Sequence, residues 1–244
     1  MAMDDDGWVV VSGASGALGR SLARYYSDRG RRVLALDRTE TDASQPGIVR
    51  RATDLLDEAD VTHALADAIP LGDSIDMLVN AVGLIWNEPL LQIRAGKFIP
   101  HGLQSWQTVL DANLSAPFVV ASRVAARMVR SGGGSIVNFS SIAAQGNAGQ
   151  AAYSAAKAGI EGLTRTMAIE LGPFGVRVNA LALGFINVSS TQAHVADTVL
   201  SGYVQKTPVG RLGEVEDVID AVEYLASAAF ATGTILPLNG GLRL

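Results

Sequence analysis

The 244 residues are 48% hydrophobic and 18% charged, with a formal net charge of -5 and no cysteine. Without a basic block, nucleic acid and anionic membrane surfaces are poor partners, and without cysteine there is no disulfide, thiolate chemistry or cysteine metal site. Asp4, Asp5 and Asp6 stand where a secretory leader would be basic, and the apolar run 78–86 is broken by Asn80 and Gly83, so a soluble cytoplasmic protein is expected.

In chain order, short β-rich runs at 8–12, 32–37, 48–52, 77–81, 135–140, 176–182 and 234–238 alternate with helical patterns at 17–29, 58–68, 106–130, 153–171 and 215–226. Most of the runs are almost continuously apolar, as strands covered on both faces are. Strand–helix alternation with right-handed crossovers predicts an α/β fold, a doubly wound parallel sheet of Rossmann type. Nothing resembling a linker divides the chain, so residues 1–244 are expected to form a single domain. The stretches 85–105 and 184–210 fit neither pattern, and long connections of this kind commonly carry function.

The first predicted strand runs into Ser12-Gly13-Ala14-Ser15-Gly16-Ala17-Leu18-Gly19 and then a helix. Such a turn brings backbone N–H groups close to a pyrophosphate at a helix N-terminus, although glycines also mark ordinary strand–helix turns. The second strand ends at Asp37, where a carboxylate accepts from ribose hydroxyls and repels a 2′-phosphate, unless it merely caps a turn. Asp37 argues for NAD(H), and Arg38 beside it softens that preference.

Further on, Ser140-Ser141 close the 135–140 strand, at the end of a parallel sheet where ligands bind. Tyr153 and Lys157 are four residues apart and share a helix face. A free phenol titrates near 10, and a neighbouring ammonium should pull it down towards a useful acid/base range. Such a pair also occurs on many amphipathic helices without catalytic meaning. No metal-ligand spacing joins His63, His101 and His194, so no metal is expected.

Taken together, these segments resemble the short-chain dehydrogenase/reductase family, in its compact, 3-oxoacyl reductase-like branch. The likeness spans nearly the whole chain: Gly13–Gly19, Asp54-Leu55, Asn80-Ala81-Val82-Gly83, Asn113, Ser140/Ser141, Tyr153/Lys157, Gly184-Phe185-Ile186, Pro208-Val209-Gly210-Arg211 and Asn239-Gly240-Gly241. The resemblance implies a seven-stranded sheet and an NAD(H)-dependent interconversion of a secondary alcohol and a ketone. It makes Tyr153 the general acid/base and has Lys157 lower its pKa while holding the nicotinamide ribose. It gives Asn113 a relay water and Ser141 the substrate oxygen. Gly13, Ser15, Gly16, Ala17, Leu18, Gly19, Asp37, Asp54, Leu55, Asn80, Ala81, Gly184 and Ile186 would line the cofactor. A homotetramer or homodimer is implied, pairing the helices at 106–130 and 153–171.

Several positions depart from the family pattern. The turn reads G-x-x-G-x-x-G, with Ala17 at the usual middle glycine, a form commoner among epimerases. Counting back from Tyr153 gives Ser140 as the catalytic serine, whereas strand alignment gives Ser141, preferred here because strand register shifts less readily than loop length. Leu183 and Val188 replace the usual proline and threonine of the nicotinamide loop, with Ser189 a candidate replacement for the lost hydroxyl. The connection 84–105 either forms a substrate-pocket rim, with Arg94 and Lys97 meeting an anionic substrate such as an acyl thioester carrier, or is a solvated loop whose apolar residues pack locally. Besides a 3-hydroxyacyl/3-oxoacyl or small-alcohol oxidoreductase, the open alternatives are an epimerase or dehydratase with retained NAD and an NAD(H)-sensing protein without turnover.

Overall fold

The computed structural model describes residues 7–39, 45–188 and 197–243. Seven strands form one parallel sheet in the order β3-β2-β1-β4-β7-β8-β9. They are β1 (Trp8–Ser12), β2 (Arg32–Asp37), β3 (Ile48–Ala52), β4 (Ile75–Asn80), β7 (Gly134–Ser141), β8 (Val176–Leu183) and β9 (Ile235–Leu238). The doubly wound sheet expected from the sequence is present, with strand ends displaced by one or two residues. Ala81 falls just outside β4, and Ser141 lies within β7.

The apolar runs are explained by their burial. Every residue of β1 is buried, and successive side chains enter opposite layers. Val10 joins a core with α2 (Glu58–Ala68), α4 (Ala116–Arg130) and α5 (Ala151–Leu171), whereas Val9 and Val11 join the other with α1 (Ala17–Ser27) and α7 (Val215–Ser227). Helix α2 starts where the Asp57 side chain accepts from the N–H groups of Ala59 and Asp60.

Three features differ from the sequence expectation. The helix expected over 106–130 begins earlier, as α3 (Leu103–Leu110), and is interrupted by a π turn at Asp111–Ser115 before α4. The connection 85–105 contains an antiparallel hairpin, β5 (Leu91–Arg94) with β6 (Lys97–Pro100), each strand only four residues long. A helix, α6 (Asp197–Lys206), lies in the connection 184–210. Ser189, Ser190 and His194 lie outside the described residues, as do Asp4 to Asp6.

A chain of buried polar side chains crosses the middle of the sheet. Ser12 Oγ donates to Asn80 Oδ1 at 2.8 Å, Asn80 Nδ2 to Asn138 Oδ1 at 2.9 Å, and Asn138 Nδ2 to Thr164 Oγ1 at 3.0 Å. None of the four residues is more than 1% exposed. They link the nucleotide-side turn after β1, through β4 and β7, to the helix that carries Tyr153. Buried polar groups cost most when a partner is removed, so Asn138→Ala, which takes one partner from both Asn80 and Thr164, should destabilise the fold by roughly 2–4 kcal/mol. Urea unfolding checks this; an unchanged midpoint would contradict it.

Candidate active site

Between β1 and β4 the strand order reverses, which opens a crevice at the carboxyl ends of the strands. The candidate residues line that end. In β7, alternation sends the two serines in opposite directions. Ser140 Oγ shares its one proton between Lys157 O at 3.3 Å and Glu161 Oε1 at 3.1 Å, so it is tied to α5. Ser141 stands beside the Tyr153 phenol and favours its ionised form, and its Oγ accepts from Ala143 N at 3.1 Å.

One helical turn beyond Tyr153, Lys157 is only 4% exposed. Its Nζ donates to Phe139 O at 2.9 Å and lies 5.7 Å from the centre of the Tyr153 ring. Asn113 is fully buried within the π turn, a distortion that often marks functional sites. Its Nδ2 donates to Val109 O at 3.0 Å and Leu84 O at 2.9 Å, while its Oδ1 accepts from Leu84 N at 3.1 Å. That pins the backbone just after Gly83. A Cβ on Gly83 would lie 3.0 Å from Asn113 Oδ1 and 3.5 Å from Lys157 Nζ, so the bare backbone lets both polar heads approach one point.

Burial acts on the two titratable groups in opposite senses. It pushes the Tyr153 phenol up, with the Ser141 hydroxyl partly opposing it, and pulls Lys157 down to about 8. Desolvation favours the neutral form of each. The sequence argument expects the ammonium to lower the phenol; in this structure burial prevails, and the Lys157 head is directed to the Phe139 carbonyl.

The nucleotide side begins at Gly13, whose φ of +70° and whose missing Cβ, which would meet Val82 N at 2.5 Å, both require glycine. Gly19 lets α1 pack on the turn, since a Cβ there would lie 2.2 Å from Gly13 O. Gly16 stands at the N-cap without a side-chain cap, Ala17 and Leu18 open the helix, and no acid occupies its first turn. Free N–H groups at such an end suit an anion. Asp37 Oδ2 accepts from Ser15 N at 3.0 Å, which places the carboxylate beside the turn. Arg50 and Arg51 of β3 line the same narrow cleft as Ser15, Asp37 and Thr39.

Of the remaining expected residues, Asp54 is exposed and accepts from Leu56 N at 3.1 Å, and Leu55 is buried. Ala81 N donates to Ser12 O at 3.1 Å, and Asn80 belongs to the buried polar chain. Gly184 N donates to Leu238 O at 2.9 Å, and Ile186 is buried and bridged to Gly213. Reading the connection 84–105 as a candidate pocket rim did not single out Glu88, Gln150 or the hairpin. The signal was two β-rich runs flanking Ala95-Gly96. The hairpin's apolar side chains do not pack locally: Leu91, Ile93 and Phe98 are 55%, 70% and 71% exposed.

A family model described as enoyl-(acyl carrier protein) reductase matches residues 13–243. Similar proteins include the short-chain reductase protein NovJ of Streptomyces niveus, 35% identical over 258 residues, covering 99% of this chain and 95% of the relative. The 3-oxoacyl-(acyl-carrier-protein) reductase FabG of Aquifex aeolicus is 32% identical, with 96% of each chain covered. Among solved structures, a gluconate 5-dehydrogenase from Burkholderia cenocepacia in complex with NADP and tartrate superposes with a TM-score of 0.87 at 27% identity, covering 98% of this chain and 96% of the other. The chain belongs to the short-chain dehydrogenase/reductase family, oxidoreductases that work with a nicotinamide cofactor.

The depressed Lys157 has a measurable consequence for the cofactor-free protein. The unfolded lysine titrates near 10.5 and the folded one near 8, so between those values the unfolded chain binds more protons. Stability attributable to Lys157 therefore rises with pH through that window. Between pH 8 and 9.5, urea stability of the parent should climb relative to Lys157→Met. Parallel pH profiles for the two proteins would refute this.

Proposed function

We propose that the protein interconverts a secondary alcohol and a ketone, with Tyr153 as general acid/base and NAD(H) as hydride carrier. The observation that carries this reading is the meeting of Ser141, Tyr153, Lys157 and Asn113 at the carboxyl ends of β4 and β7. When bound, the nicotinamide donates or accepts the hydride.

The protein's own residues handle the oxygen and its proton. Ser141 holds the substrate oxygen beside the phenol, and Tyr153 delivers a proton to it in reduction or removes one in oxidation. Lys157, its ammonium balanced by the Phe139 carbonyl, stabilises the phenolate left by proton delivery and holds the nicotinamide ribose. Asn113 keeps the backbone at Leu84 in place and connects Lys157 to a relay water. Gly13, Ser15, Gly16, Ala17, Leu18 and Gly19 cradle the pyrophosphate at the uncapped start of α1. Asp54, Leu55, Asn80 and Ala81 serve the adenosine side, and Gly184 and Ile186 the carboxamide.

Asp37, beside the Ser15 amide, supports NAD(H) because its charge accepts from ribose hydroxyls and repels a 2′-phosphate. A second reading, NADP(H), is favoured by Arg50 and Arg51 in the same cleft, and by the NADP named with the gluconate 5-dehydrogenase structure. The relatives named as 3-oxoacyl reductases support a 3-oxoacyl thioester as substrate, with small alcohols the other candidates.

Tyr153→Phe should lower kcat by about 10²–10⁴-fold while cofactor binding persists. Turnover at the parent rate would overturn the mechanism. The ratio of kcat/KM for NADH over NADPH should exceed one in the parent and fall in Asp37→Ala; a parent preference for NADPH would select the second reading.

A further inference from the structure

The β5–β6 hairpin is amphipathic in an unusual place. Residues directly opposite across the pair share a face, so Leu91, Ile93, Phe98 and Pro100 line one side. An isolated two-stranded hairpin is marginal in water, and this one is only four residues long on each strand. Its position must be fixed at its base.

The base converges on Glu88. The carboxylate accepts from Gly102 N at 3.0 Å and from Trp86 Nε1 at 3.0 Å, joining the chain that enters the hairpin to the chain that leaves it. The Glu88 carbonyl lies 3.2 Å from His101 Nδ1, whose ring stands edge-on to Trp106. These donors, with Ser105, hold the Glu88 carboxyl down to about 2, so it is ionised throughout the neutral range. The same residue ties the hairpin to the catalytic helix. The backbones of Glu88 and Gln150 form a β-bridge, and Gln150 Nε2 donates to Asn87 Oδ1 at 2.8 Å. Gln150 is the N-cap of α5, three residues before Tyr153. Its Oε1 accepts from Asn147 Nδ2 at 2.9 Å, and Asn147 N donates to Ser154 Oγ at 3.2 Å.

We infer that Glu88 is a positioning residue that locks the apolar face of the hairpin to the start of α5, and so sets how an extended apolar substrate is held relative to Tyr153. The inference rests on the alcohol–ketone reading for its substrate, but the clamp itself is a property of the chain. Glu88 touches no reacting atom. Tyr153 lies inside α5, beyond its N-cap, and Lys157 further along the helix is held by the Phe139 carbonyl of β7, so loosening the clamp alters substrate holding rather than the chemical step.

The test pairs kinetics with amide hydrogen exchange, using the full chain with Glu88→Ala and Glu88→Gln. With a long-chain and a short-chain 3-oxoacyl thioester, Glu88→Ala should raise KM for the long chain about tenfold and leave kcat and the short-chain KM within about threefold. Glu88→Gln, whose single acceptor oxygen serves Gly102 or Trp86 but not both, should restore part of the loss. In the cofactor-free Glu88→Ala protein, exchange should accelerate in residues 89–101 and 147–152 together while the central strands keep the parent rate. Equal KM changes for both thioesters, or loosening that spreads through the sheet, would reduce Glu88 to a general stabilising residue and overturn the inference. Unchanged exchange in 147–152 would overturn it whether or not any ketone is reduced. If the parent reduces no ketone, the functional reading fails separately from the clamp.

Discussion

The hydrogen bond from the Lys157 ammonium to the Phe139 carbonyl organises the site. A lysine head out of reach of water is costly unless something accepts its protons, and burial alone has already brought this one down to about 8. The acceptor is a main-chain carbonyl near the end of β7, so the strand fixes where the ammonium sits. The same strand end turns Ser140 into α5 and Ser141 towards the phenol. Four groups thus take their places from one strand terminus and one helix, with Asn113 supplied from the π turn across Gly83.

That arrangement depends on the sheet keeping its register. The buried chain from Ser12 through Asn80 and Asn138 to Thr164 is satisfied only if β1, β4, β7 and α5 are in their observed relation. A slip of one residue would turn each asparagine to the opposite face and orphan its partner. Apolar packing in the two layers supplies most of the stabilisation. The polar chain adds specificity, coupling the nucleotide-side turn to the helix of Tyr153.

The legible parts of the sequence were those governed by burial on both faces. Residues such as Val9, Val10 and Val11 face core whichever way they point, so their run reads as a strand without tertiary information. That Ser141 rather than Ser140 faces the phenol was legible only through strand register, since spacing from Tyr153 pointed to Ser140. The π turn at Asn113 left no mark, because one extra residue in a helical turn preserves the apolar pattern on either side. The hairpin escaped because its apolar face meets no core, so no burial pattern of the ordinary kind encloses it. The direction of the Tyr153 shift was misjudged for a related reason: sequence shows that a lysine is near but not how dry the pair becomes.

The central claim, hydride exchange between a nicotinamide and a carbonyl carbon beside Tyr153, is most directly tested with reduced cofactor carrying deuterium at C4. With that label on the transferred face and a 3-oxoacyl thioester, the carbinol carbon of the product should carry the deuterium, at a rate that falls in Tyr153→Phe. Product formed without the label, or a label that appears as fast without the phenol, would contradict the account.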